Sequence, residues 1–408
     1  MGKNMLIAQS GGPTAAINAS LSGAVQQARC SGQIGKVYGA RFGVEGILKG
    51  NIVDLDGCLR SEEDFHVLEC TPSMALGSCR YKLPAPGEDG EVYRRLLQAL
   101  HEYEIGYFFY IGGNDSMDTV AKLSRYFAEQ GEDIKVAGVP KTIDNDLAET
   151  DHSPGFGSAA KFIATAVQEI IRDASVYDTR SVTIVEIMGR DAGWLTASSA
   201  LARDEHTGAP HLIYLPEVPF SVADFLGDVE RLHKEVKNVV VAVSEGVRTA
   251  DGRYAAESYQ SGVVDTFGHR YLSGVGKYLE NMVRHNIGCK VRSVELNVLQ
   301  RAAAHVLSAT DIDEARGVGQ AAVRFALEGK TGFVAVIRRA SQEPYEASYD
   351  CAPIERIANV ARNVPPEWIT PERNDVTGEM LRYLEPLILG EVRFPTERGL
   401  PKHFLLRA

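Results

Sequence analysis

I-K-V-A-G-V-P-K-T-I-D-N-D, residues 134–146, decides how this chain is read. Ile134–Val139 is an apolar run of the length of a buried strand. Directly behind it stand Lys141, Thr142, Asp144 and Asp146. Open α/β sheets present their ligands at the carboxyl ends of the strands. A cation, a hydroxyl and two carboxylates there supply what phosphoryl transfer asks of a protein. Charge on the moving group is stabilised, and a carboxylate takes the proton of the attacking hydroxyl. Alone, the segment also reads as a polar turn closing a strand, so its neighbours carry the decision.

Working outward, the same device recurs. Asn4–Gln9 reads as a short strand running into Ser10-Gly11-Gly12-Pro13-Thr14 and an Ala-rich helix. Tyr107–Ile111 reads as a strand followed by Gly112-Gly113-Asn114-Asp115-Ser116 and a helix over 117–130. Glycines admit a ligand close to backbone N–H groups, and a helix start favours an anion. No Lys-Ser/Thr follows at Walker spacing. Asn114, Asp115 and Ser116 also suit helix N-caps. Leu76–Tyr81 places Arg80 beside a Gly-Ser pair, facing a phosphate or simply solvent. Ser181–Ile187 reads as a strand ending in Met188-Gly189-Arg190, and Val239–Val243 as one ending near Glu245-Gly246. Arg292 and Arg301 bracket a strand expected over 290–299, after a helix over 269–285. The G-x-G-x-x-A of residues 155–160 follows a polar loop rather than a strand, so it is not read as a dinucleotide fingerprint.

Composition narrows the function classes. The chain has 408 residues, 44% hydrophobic and 24% charged, with a formal net charge of −11. That charge disfavours nonspecific binding to nucleic acid or anionic membranes. No apolar run reaches bilayer length, and the N-terminus lacks a signal-peptide pattern. Six scattered cysteines without C-x-x-C suit reduced thiols, and ten dispersed histidines give no zinc spacing. The expectation is a cytoplasmic α/β protein.

Taken together, Q-S-G-G-P-T (9–14), Y-I-G-G-N-D-S (110–116), P-K-T-I-D-N-D (140–146), G-F-G-S-A (155–159), V-E-I-M-G-R-D-A-G-W-L (185–195), S-E-G (244–246) and L-Q-R (299–301) resemble the phosphofructokinase family in order and spacing. The resemblance covers roughly residues 5–337 and is closer to the pyrophosphate-dependent branch. Members that use ATP carry glycine at the positions of Asp115 and Lys141. A carboxylate at 115 would fill and repel the place of a nucleotide α-phosphate, and the lysine would supply positive charge to a shorter donor.

The resemblance implies two doubly wound Rossmann-like α/β lobes with the active site in the cleft between them, plus a C-terminal helical appendage. Residues 1–150 would form the donor lobe, completed by about 300–337. Residues 151–299 would form the sugar-phosphate lobe, and 338–408 the appendage, with short helical pieces near 354–360 and 378–387. It implies reversible transfer from pyrophosphate to the 1-hydroxyl of fructose 6-phosphate, with Mg²⁺ as cofactor; the alternatives are an ATP-dependent sugar-phosphate kinase of the same fold and a sugar-phosphate-binding paralogue without catalysis. Gly11, Gly12 and Gly113 would cradle pyrophosphate and Asn114 would serve the metal. Asp144 would be the general base, with Lys141, Asp115, Thr142 and Asp146 around the reacting groups. Thr142, Ile143, Met188, Gly189, Arg190, Glu245, Val298 and Arg301 would line the acceptor. Arg292 would reach it from a neighbouring copy, which makes a homo-oligomer the expected assembly. Two residues depart from the family pattern: Asn114 stands where aspartate is usual, and Val298 where histidine or tyrosine is.

Overall fold

The computed structural model describes residues 2–257 and 274–406. The chain divides into two compact units. One comprises Met1–Ser158, Arg301–Ala361 and Gly390–Ala408; the other comprises Ala159–Gln300 and Arg362–Leu389. In chain order the elements are β1 (Asn4–Gln9), α1 (Ile17–Ser31), β2 (Val37–Ala40), α2 (Gly43–Leu48), β3 (Ile52–Asp54), α3 (Leu55–Cys58), α4 (Glu62–Glu69), α5 (Gly90–Glu102), β4 (Ile105–Gly112), α6 (Asn114–Glu129), β5 (Lys135–Pro140) and α7 (Phe156–Ser175). The second unit continues with β6 (Ser181–Ile187), α8 (Trp194–Ser198), β7 (Leu212–Tyr214), α9 (Val222–Leu232), β8 (Asn238–Ser244), α10 (Val275–Asn286) and β9 (Lys290–Glu295). The chain then returns to the first unit for α11 (Ala309–Leu327), β10 (Phe333–Gln342) and β11 (Tyr345–Pro353), and α12 (Gly378–Leu384) belongs to the second.

The first unit is built on a seven-stranded sheet in the order β11-β10-β5-β4-β1-β2-β3. Its interior pairs are parallel; only the edge pairs β10–β11 and β2–β3 are antiparallel. Successive side chains of a strand point to opposite faces, and here both faces are covered. Met5, Ile7, Phe109, Ile111, Ala137 and Val139 pack with Ile17, Leu21 and Val25 of α1 and Val318, Ala322 and Val323 of α11. Leu6, Ala8, Phe108, Tyr110 and Val136 pack on the other side with Met117, Val120 and Leu123 of α6. This explains why the strands read as continuous apolar runs rather than alternating ones. The second unit has a parallel four-stranded sheet, β7-β8-β6-β9, whose core joins Val182, Ile184, Val241 and Val243 to Phe225, Val229 and Leu279. Among the described residues no helix is long and apolar enough to cross a membrane.

Several sequence expectations change. The stretch expected as an appendage from Arg338 onward does not form one. β10 runs on to Gln342 and turns back as β11, because the registered pairing Phe333–Pro353 to Gln342–Tyr345 gives both strands ladder hydrogen bonds. Residues 362–389 then belong to the second unit and 390–408 to the first. Of the helical pieces expected near 354–360 and 378–387, the first is only a 3₁₀ turn, Ile354–Arg356, and the second is α12 followed by a turn at Glu385–Ile388. The strand expected over 290–299 stops at Glu295, since Asn297 takes a positive φ of 44° that no strand allows and a 3₁₀ turn, Asn297–Arg301, follows. The helix expected over 269–285 begins at Val275 within the described residues; positions 269–273 lie outside them.

Helices α1 and α11 touch backbone to backbone. A Cβ on Gly319 would sit 2.1 Å from the carbonyl oxygen of Ser20, and one on Gly23 would sit 2.1 Å from that of Arg316. Gly319→Ala should therefore force the helices apart and destabilise the first unit by about 1–3 kcal/mol. A thermal melt reads this directly, and an unchanged melting temperature would remove the close-approach account.

Candidate active site

The order of the large sheet creates the site in the first unit. β1 and β4 are neighbours, but the chain leaves β1 toward β2 and leaves β4 toward β5. The loops behind them diverge and open a crevice at the carboxyl ends, where open sheets bind ligands. Gly11-Gly12 follows β1, Gly113-Asn114-Asp115 follows β4, and Lys141 follows β5.

The two glycine turns lock together. Ser10 and Ser116 share a hydrogen bond of 2.5 Å between their hydroxyls. A Cβ on Gly112 would lie 1.9 Å from the Ser116 oxygen, so only glycine leaves room for this contact. The Leu76–Tyr81 turn supports the first loop: the Ser78 hydroxyl donates to the Gly11 carbonyl at 2.7 Å, and the Gly11 N–H donates to Cys79 at 3.4 Å. Asn114 and Asp115 are not caps. The N-cap of α6 is Gly113, and both residues occupy the first turn, where an acidic group is favoured by the helix dipole.

Lys141 is the centre of the site. It is 2% exposed, and its Nζ donates to the carbonyl of Gly12 at 2.5 Å. A Cβ on Gly11 would be 3.4 Å from the same nitrogen, and one on Gly12 would be 3.7 Å from the Arg301 guanidinium. Burial pushes the Lys141 pKa down to about 8; Asp144 and Asp146 pull it upward, and Arg301 lowers it further. Arg301, expected on the sugar phosphate, thus lies beside the donor loop. Burial and the neighbouring Asp144 raise Asp146 to about 7, while hydrogen bonds from Thr142 and Asn114 oppose the rise. Thr142 accepts the Asp144 N–H at 3.1 Å and Ile143 is buried. The Asn114 Oδ1 is buried without a hydrogen-bond partner. An orphaned amide oxygen beside a carboxylate suits a hard divalent cation, which takes oxygen ligands and few of them from protein.

In the second unit, β6 and β8 run in register to Ile187 and Ser244. The segments behind them meet there. The Ser244 hydroxyl donates to the Gly189 carbonyl at 2.6 Å, and the Gly189 N–H donates to Glu245 at 3.4 Å. Met188, Gly189, Arg190 and Glu245 are therefore brought together. Gln300, present in the L-Q-R motif but given no role by the sequence, accepts the Met188 N–H at 3.1 Å. Arg292 stands on the edge strand β9 and pairs with Asp173 at 2.7 Å. Val298 is 50% exposed on the 3₁₀ turn, next to Leu299 at 58%.

A family profile described as phosphofructokinase matches residues 4–326. The chain belongs to the phosphofructokinase family. A Halomonas elongata protein named pyrophosphate–fructose 6-phosphate 1-phosphotransferase is 42% identical, covering 98% of this chain and 95% of its own. A protein of the same name from Xanthomonas campestris pv. campestris is also 42% identical, covering 99% and 96%. The solved structure of a pyrophosphate-dependent phosphofructokinase from Marinobacter aquaeolei superposes with a TM-score of 0.87 at 39% identity, covering 100% of this chain and 98% of that one.

The buried lysine of this phosphofructokinase has a cost in the ligand-free protein. Its folded pKa of about 8 lies below the ordinary lysine value. Between those two pH values the unfolded chain binds more protons, so the penalty on the folded state is complete below pH 8 and fades as pH rises toward 10. Lys141→Met should raise the melting temperature at pH 7 by about 2 °C or more. The gain should shrink at pH 10; an equal gain at both pH values would contradict a charged, desolvated lysine.

Proposed function

We propose that this phosphofructokinase transfers a phosphoryl group from pyrophosphate to the 1-hydroxyl of fructose 6-phosphate, giving fructose 1,6-bisphosphate and phosphate, reversibly and in the cytoplasm. The observation that carries the reading is Lys141: an ammonium buried against the carbonyl of the first glycine loop, with Asp144 and Asp146 beside it. The names of the full-length relatives support the same donor.

In this reading Gly11, Gly12 and Gly113 present backbone to the pyrophosphate. Asp144 takes the proton of the 1-hydroxyl as its oxygen attacks the nearer phosphorus. The bond from that phosphorus to the bridging oxygen breaks, and the second phosphate leaves with the bonding electrons. Lys141 holds the charge that builds up on the departing and transferring groups. Thr142 fixes the Asp144 backbone, and Asp146 takes hydrogen bonds from Thr142 and Asn114. Asn114 and Asp146 would hold Mg²⁺, which when bound neutralises phosphate oxygens. Asp115, at the start of α6, excludes the α-phosphate of a nucleotide by charge and bulk.

Met188, Gly189, Arg190 and Glu245 are assigned to the sugar phosphate together with Ile143 and Arg301. Arg292 would be contributed by a second copy of the chain, making the working enzyme a homo-oligomer. Val298 offers this acceptor only apolar contact.

The first test supplies purified protein with Mg²⁺, fructose 6-phosphate and either pyrophosphate or ATP. Turnover should favour pyrophosphate by about a hundredfold or more in kcat/KM, and comparable use of ATP would sink the donor assignment. Asp144→Asn should lower kcat by about 10²–10⁴-fold and leave both KM values within threefold. Near-parental turnover in that variant would remove Asp144 as the base. Asp115→Gly should shift the kcat/KM ratio of ATP to pyrophosphate upward by about tenfold or more. An unmoved ratio would leave the steric account without support.

A further inference from the structure

A buried ion array lies next to the loop that carries Asp144, and nothing in the reaction described above uses it. His152 is 1% exposed. Its Nδ1 lies 2.8 Å from Asp151, and its Nε2 lies 2.5 Å from Glu314 of α11. Both neighbours are carboxylates, so both ring nitrogens donate and the ring is an imidazolium. Arg339 of β10 reaches Asp151 at 3.0 Å, and the Tyr345 hydroxyl of β11 donates to Glu314 at 2.6 Å. Two cations and two anions thus balance in a place with little water. Buried arrays of this kind contribute little net stability but hold one geometry.

One turn earlier on the same helix, Asp311 is 2% exposed. Its two oxygens accept the N–H groups of Gly155 at 2.8 Å and Ser158 at 2.9 Å. Positions 311 and 314 share one face of α11. Together they grip the segment 152–158 at two points. That segment is in turn the frame of the catalytic loop. The Ser153 N–H donates to Asn145 Oδ1 at 3.0 Å, and Asn145 holds a positive φ of 54° between Asp144 and Asp146. The Thr142 N–H donates to the Pro154 carbonyl at 3.2 Å. On the far side, Asp151 N–H donates to Ile337 of β10 at 2.9 Å, and the Thr150 hydroxyl accepts the Ile337 N–H at 3.0 Å.

We infer that Asp311 and Glu314, acting through His152 and the Gly155 and Ser158 amides, are positioning residues that fix Asp144 and Asp146 against Lys141. The inference rests on the phosphoryl-transfer reading for its kinetic consequence, but its structural content does not. The same helix packs backbone to backbone on α1, which starts directly behind the Gly11-Gly12 turn. One rigid element therefore sets the spacing of the donor loop and the base loop. A misplacement of about 1 Å at a reacting group costs on the order of a hundredfold in rate.

The test compares the full-length parent with Glu314→Gln and Asp311→Asn, near-isosteric changes that keep the helix intact. In both variants kcat with pyrophosphate and fructose 6-phosphate should fall by about tenfold or more, with either KM changing less than about threefold. Amide hydrogen exchange of residues 142–155 should accelerate by about tenfold, while β1, β4, β6 and β8 keep parental rates. Parental kcat with a protected loop would overturn the inference. So would accelerated exchange across the whole first sheet, because the residues would then be supporting the fold rather than the loop. If the parent lacks phosphoryl transfer, the functional reading fails and the exchange result alone decides the clamp.

Discussion

A lysine ammonium removed from water constrains everything around it. Lys141 keeps its charge only while a carbonyl and two carboxylates stay within reach, and these come from two different loops. The Gly12 carbonyl is delivered by the loop behind β1, and Asp144 and Asp146 by the loop behind β5. If either loop moved by the width of an atom, burial would win and the proton would leave. The demand for a charged group in a dry place is thus a demand for rigid loops, and much of the first unit can be understood as meeting it.

Two carboxylates so close to each other cannot both be comfortable anions. Asp146 is raised to about 7 by burial and by Asp144, and it keeps hydrogen bonds from Thr142 and Asn114. Asparagine at position 114 relieves this pair, because an amide adds no third negative charge and gives its N–H to Asp146 while leaving its oxygen unpartnered. The local charge balance is then set by one lysine, one nearby arginine and two acids. Beneath them α11 supplies a second balanced array, in which burial disfavours the imidazolium of His152 but Glu314 and Asp151 hold its pKa at about 9.

Much of this was readable from residue order. β1, β4, β5, β6 and β8 are legible as apolar runs ending in glycine or polar groups, and the motif series names Lys141, Asp144, Asn114 and Arg190 as candidates. The missed acids and histidine share one cause. Glu314 and Asp311 lie in T-D-I-D-E-A-R, which has the look of an ordinary solvated helix start, and His152 follows an aspartate in a polar loop. Their partners are 156 and 162 residues away in the chain, so neither periodicity nor spacing could mark them as buried. β11 was missed for a different reason. Its Y-E-A-S-Y-D-C alternates apolar and polar side chains with the period of a half-buried strand, but the polar, Pro-rich stretch around it read as an appendage, and only β10 shows the edge it pairs with.

The sequence by itself determined the α/β class, the family and the chemical types gathered at the strand ends, because hydrophobic runs and short motifs are local properties that survive without a fold. Only the tertiary structure decided which charges are dry and which are wet. It put Lys141 against Gly12, left the Asn114 oxygen without a partner, divided residues 338–408 between two units, and set two acids of α11 against His152 and Gly155. The physical reason is that desolvation depends on what packs over a group, and what packs over these groups arrives from distant parts of the chain.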